Sequence, residues 1–227
     1  MKSLCVHLSF EGGFAKDYNA ESIGEMKSVK QLWLPKNFKE FNICANKNIE
    51  QLTLSFPSEF INLQCLKSLR FLYLRDDLNN LSEINFPDNL DELMITNTKI
   101  KTLNWIENIK SLVKLEISHN KNLTAIQELK RIEIGSLLII ACNKIKDLHS
   151  LKENQSIQYL YIDKLQSLED IGPIISVRTI GFQDLKDGRT DLALEWPELK
   201  EITFYPNKKH YSHTEKQLNQ ILSGKSN

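Results

Sequence analysis

The sequence predicts an α/β solenoid, in which short coils stack and each coil adds one strand to a single parallel sheet. Three observations carry that prediction. Apolar-x-apolar cores begin at Leu32, Leu52, Leu72, Leu93, Leu115, Leu138, Leu160, Ile180 and Ile202, at spacings of 20, 20, 21, 22, 23, 22, 20 and 22 residues. Near-constant register over so many starts is the mark of a structural repeat. Between the cores, apolar residues fall three apart, as at Ile100, Leu103, Ile106, Ile109, Leu112 and Leu115. A step of three is too tight for a long amphipathic α-helix and fits helical turns or 3-10 structure. Leu115-Glu116-Ile117 then alternates as a strand does, and Asn120 closes the unit, which runs turn, strand, bend.

Residues 1–28 precede the first clear coil. A solenoid leaves the apolar face of its first coil open. Leu4, Val6, Leu8 and Phe10 are therefore expected to form a starting strand, with Phe14, Ile23 and Met26 as a cap and Gly12-Gly13 turning between them. Three coils follow from Val29 to Leu74, and Phe60, Leu63, Leu66, Leu69 and Leu72 keep the step of three. From Asp76 to Asp91, Asn79-Asn80 and Pro87-Asp88-Asn89 mark a looser turn, whose core comes from Leu78, Leu81, Ile84, Phe86 and Leu90. Residues 93–177 are the most regular. The turn from Gln183 to Leu199 reads as extended, because Leu192, Leu194 and Trp196 alternate by two. Beyond Phe204 the chain becomes polar, and Ser212 or Thr214 is placed to cap a short helix with Leu218, Ile221 and Leu222 on one face.

Leu112-Val113-Lys114-Leu115-Glu116-Ile117-Ser118-His119-Asn120 reads L-x-x-L-x-L-x-x-N and resembles the leucine-rich repeat family. The resemblance covers roughly residues 29–207, and the short coil looks most like the bacterial internalin-type repeat and the similar repeat of protein phosphatase regulators. It implies a horseshoe of about 9–10 coils, with the parallel sheet on the concave face and short helical, 3-10 or extended turns on the convex face. Asn37, Asn120, Asn143 and Asn207 hold the asparagine position, but Pro57, Asp77, Thr98, Leu165 and Leu185 replace it elsewhere.

One domain accounts for all 227 residues, since a solenoid grows by stacking. Its expected parts are residues 1–28 as strand and cap, 29–207 as repeats, and 208–227 as cap helix and tail. Lys+Arg and Asp+Glu are equal at 29 each, which gives no overall footprint for nucleic acid or an acidic membrane. The N-terminus makes a poor signal peptide and no stretch approaches a transmembrane length, so the expected compartment is the cytoplasm. Cys5, Cys44, Cys65 and Cys142 lie far apart and read as reduced thiols in or near the core.

The residues before, between and after each apolar pair point out of the sheet. Nothing in the fold requires them to be aromatic, yet Trp33, Phe71, Tyr73, Met94, Ile139, Tyr159, Tyr161 and Tyr205 fall there, with Arg75, Glu92, Lys114, Glu116 and Asp163 among them. Those residue types are enriched in protein interfaces. The expectation is a non-enzymatic module gripping a protein partner on this face, with no cofactor and no metal. An immunity or inhibitor-type role and a phosphatase-regulator-like scaffold are narrower versions of it. The protein is expected to be a monomer, with self-association through the same face as an alternative. An enzyme using His210, Tyr211 and His213 is the rival reading. His210-x-x-His213 has no suitable third ligand nearby in sequence, and Glu92 with Glu116 would need a deep cleft to act as a glycosidase pair.

Overall fold

The computed structural model describes residues 29–34, 43–55, 63–76, 81 and 84–225. The expected starting strand and cap in residues 1–28 lie outside these, as do Asn37, Pro57, Phe60, Asp77 and Leu78. The strands are β1 Gln31–Leu34, β2 Gln51–Ser55, β3 Phe71–Arg75, β4 Glu92–Thr96, β5 Ser111–Ser118, β6 Glu133–Ile140, β7 Tyr159–Ile162, β8 Lys164–Leu165, β9 Thr179–Phe182, β10 Asp184–Leu185 and β11 Glu201–Phe204. All but β8 and β10 form one parallel sheet of nine strands, in chain order. Few of the described residues lie in α-helix, and the architecture is solenoid-like.

Register follows from burial. Leu52, Leu72, Leu93 and Leu115 are direct neighbours across β2–β5, as are Leu54, Leu74, Ile95 and Ile117 one step along, and all eight are at most 2% exposed. Each such side chain contributes about 1.5–3 kcal/mol by leaving water. A slip of one residue would forfeit that for a whole strand. The residues at steps of three close the coils as 3-10 helices at Asn104–Asn108, Gln127–Arg131, His149–Glu153 and Leu168–Asp170. The 183–199 turn is not extended as expected. Thr190–Glu195 is also a 3-10 helix, with Leu192 and Ala193 buried and the Trp196 amide bonded to the Ala193 carbonyl.

β6 corrects one expected register. Leu137-Leu138-Ile139-Ile140 is apolar throughout and fits two alternations. The observed pairing sets Leu137 beside Leu115 and Ile139 beside Ile117. The coil thus starts at Leu137 rather than Leu138, and Ile139, expected on the outward face, is core at 3% exposure. Leu138 and Ile140 point outward in its place.

The corrected register also explains Cys142. Five residues after Leu115, buried Asn120 donates to the carbonyls of Ile95 and Ser118, both at 2.9 Å, and accepts from the Thr98 amide at 2.9 Å and the Thr98 hydroxyl. Five residues after Leu137, the Cys142 thiol faces the equivalent carbonyls of Ile117 and Ile140 at 3.5 and 3.4 Å. The backbone at Asn120 also bonds its sulfur. Cysteine therefore fills the asparagine rung, and Asn143, expected there, is exposed. Where Leu165 and Leu185 replace asparagine, the backbone supplies the bonds itself by pairing β8 with β10.

Cys44 and Cys65, expected as reduced thiols, are joined, with Sγ atoms 2.03 Å and Cα atoms 5.4 Å apart. They sit 21 residues apart in successive coils, one residue out of step with the local spacing of 20, and stacking brings them within bridging range.

The last coil is closed by helix α1, Glu215–Lys225, which buries Leu218 and Leu222. Its polar side chains also take up the free edge of β11. Asn219 accepts from the Ile202 amide at 2.9 Å and donates to the Ile202 carbonyl at 2.8 Å, and Glu215 accepts from the Phe204 amide at 2.9 Å.

Candidate protein-binding face

The outward residues of the sheet form columns, because each strand stacks in register on the last. In the middle column Trp33, Thr53, Tyr73, Met94 and Glu116 are consecutive neighbours, about 4.8 Å apart. Thr53 is short and stands between two aromatic rings, and the gap it leaves opens into two adjoining hollows. One, of about 190 Å³, is lined by Gln51, Thr53, Phe71, Tyr73, Glu92, Met94, Lys114 and Glu116. The other, of about 210 Å³, is lined by Gln31, Trp33, Gln51, Thr53, Tyr73 and Arg75.

Local contacts fix the walls. The Trp33 indole nitrogen donates to the Ser55 hydroxyl at 3.4 Å. The Arg75 guanidinium carbon lies 5.9 Å from the Tyr73 ring centroid, and its Nε pairs with Asp76 at 3.0 Å. Lys114 pairs with Glu116 on its own strand at 3.3 Å. Phe71 is 39% exposed. The structure thus gathers eight of the expected residues into one patch at β1–β5.

The remaining expected residues are dispersed. Tyr161 lies down on the sheet: a Cβ on Gly181 would come within 2.7 Å of its ring and 2.8 Å of the Thr203 hydroxyl. Glycine at that outward position is what lets the ring settle there. Burial pushes the Tyr161 phenol above its ordinary pKa, and a hydrogen bond with Gln183 pulls the other way. Asp163 is only 9% exposed and accepts from the Ala141 amide at 3.0 Å, bracing two coils. Tyr159 is half-buried, and Tyr205 stands 82% exposed past the end of β11. Leu138 and Ile140 are outward residues that the sequence reading missed. The signal for them was Cys142, which falls five residues after Leu137 as Asn120 does after Leu115.

His210 and Tyr211 are held against the backbone. The Tyr211 hydroxyl accepts from the Leu185 amide at 3.1 Å, and His210 Nε2 lies 3.2 Å from the Leu185 carbonyl. A carbonyl only accepts, so Nε2 carries the proton. The two rings occupy the free edge of β10. The His213 amide donates to the Thr190 hydroxyl at 3.0 Å, and the Ser212 hydroxyl donates to Asp191 at 2.6 Å, holding that carboxyl below its ordinary pKa. Lys208 likewise lowers Asp184 through a 2.5 Å hydrogen bond.

No family model matches the chain, and no curated protein matches it. Among solved structures the chain is similar to the functional domain of InlJ from Listeria monocytogenes, described as including a cysteine ladder. The identity is 13% and the TM-score 0.32, over 79% of this chain and 50% of that one. The chain spans about half the length of that structure.

Proposed function

We propose that the protein is a non-enzymatic binding module of leucine-rich repeat type that grips a protein partner on the concave face of a curved stack. The observation that carries this reading is the patch at β1–β5, where Trp33, Phe71, Tyr73 and Met94 flank two adjoining hollows. Both hollows are smaller than the roughly 300 Å³ at which small-molecule pockets begin. They match side chains of another protein better than a free metabolite. Aromatic side chains held by the sheet lose little freedom on binding, which favours affinity. A regulatory scaffold would use the same face in the same way.

The Cys44–Cys65 bond weighs against the cytoplasmic placement read from the sequence, because such bonds persist in oxidising compartments.

The test is capture of a partner from the native host by wild-type protein and by a Trp33→Ala, Tyr73→Ala variant with an unchanged circular dichroism spectrum. Retention by wild type and loss by the variant is the expected result. A partner held equally by both would place the interface elsewhere and overturn the reading.

A further inference from the structure

The hollow beside Phe71 and Met94 carries a carboxylate that no cation pairs with among the described residues. Elsewhere several cations and anions pair from coil to coil, as in Lys30–Glu50, Arg131–Glu107 and Arg189–Glu169. Glu92 has Lys114 as its direct neighbour across the β4–β5 pair, yet the Lys114 ammonium turns along its own strand to Glu116 at 3.3 Å. Glu92 forms no ion pair among the described residues. The half-buried carboxylate therefore faces a small cavity walled by Phe71, Tyr73 and Met94. With Glu92 and Glu116 against Lys114, the cavity lining has a net charge of −1.

We propose that this hollow seats one basic side chain, arginine or lysine, of the protein partner. The chemistry is complementary in two parts. An alkyl stem lies along Phe71, Tyr73 and Met94, as such stems do on apolar surface. The cationic head then meets Glu92, with the aromatic rings supplying a further attraction through their faces. Arginine suits the site better than lysine, because its planar fork bonds a carboxylate in two places and stacks on an aromatic ring. The adjoining hollow beside Trp33 differs, since its only ionised side chain, Arg75, is already paired with Asp76 at 3.0 Å.

This proposal rests on the concave-face reading and can fail separately from it. The probe is N-acetyl-argininamide, followed through the Met94 methyl resonance, with N-acetyl-norleucinamide as the uncharged control. A lone side chain is expected to bind weakly, with a Kd on the order of millimolar. The arginine compound should shift Met94 saturably, the norleucine compound should shift it at least about ten-fold less, and added salt should weaken the effect. Glu92→Gln should reduce binding about ten-fold or more. Glu201→Gln, at the far end of the same column, should leave it unchanged. Equal shifts from both compounds, no shift, or full binding by Glu92→Gln would overturn the proposal. If a captured partner is lost with Tyr73→Ala but retained by Glu92→Gln, the face stands and the cation seat falls. If argininamide binds but the face variant keeps its partner, the seat stands and the proposed function falls.

Discussion

Cys142 shows how far one residue can depart from a repeat while keeping its place in it. Its thiol is pushed up to about 11 from 9.0, chiefly by burial. The folded protein thus holds this proton to higher pH than the unfolded chain. The resulting stabilisation is complete below about pH 9 and is lost as pH rises through about 11. Between pH values below and above that window, stability read from urea midpoints should fall by about 3 kcal/mol on account of this thiol, and Cys142→Ala should remove that part of the fall while leaving the part due to Tyr161. Cys142→Asn should match or exceed wild-type stability, because asparagine at 120 already bonds the equivalent three backbone groups. Asn120→Ala should cost about 3 kcal/mol or more, by stranding two carbonyls and an amide in the core. The sequence was nearly legible here. Asn120 could be read directly, whereas Leu137-Leu138-Ile139-Ile140 offered two alternations of equal hydrophobicity. Only the hydrogen-bonding residue downstream separates them, and a cysteine is a weak enough acceptor and donor to be passed over.

Strand spacing and the step of three were readable because each is set by burial, which periodicity reports directly. The elements that escaped depend on contacts between coils. The Cys44–Cys65 bridge was hidden because 21 residues of sequence are one coil in space. Closing a loop of that length stabilises by about 3 kcal/mol in the chain-entropy account. Cys44→Ser and Cys65→Ser should each lower the melting temperature, and the double variant should lose no more than either alone. The edge of β11 is a second such element. Asn219 satisfies both backbone groups of Ile202, as a tenth strand would. Asn219→Ala should cost about 1–3 kcal/mol and should bare an edge open to pairing with another chain. Size-exclusion chromatography against concentration would show a dimer for the variant where wild type shows none.

At the scale of the molecule, each coil contacts only its neighbours, so stability is a sum of local terms. β5 and β6 are the longest strands at eight residues each and pair along most of their length. Their amides should exchange most slowly with deuterium. Asn219→Ala should speed exchange in β9 and β11 while leaving β2 to β5 as they were. A uniform rise in exchange would mean that the stack opens as one unit. The outward patch was half legible: the sequence placed Trp33, Tyr73 and Met94 on one face, but the shortness of Thr53 mattered only once its neighbours were known.

The seal on β11 also bears on ancestry. A repeat protein lengthens when a coil is duplicated in its gene, and the new coil must find a matching strand on each side. Between β1 and β11 every position offers that. Beyond β11 there is none, because Asn219 and Glu215 already occupy the groups a newcomer would need. A coil added directly against β11 would first have to displace these side chains, whereas one inserted between two existing strands would not.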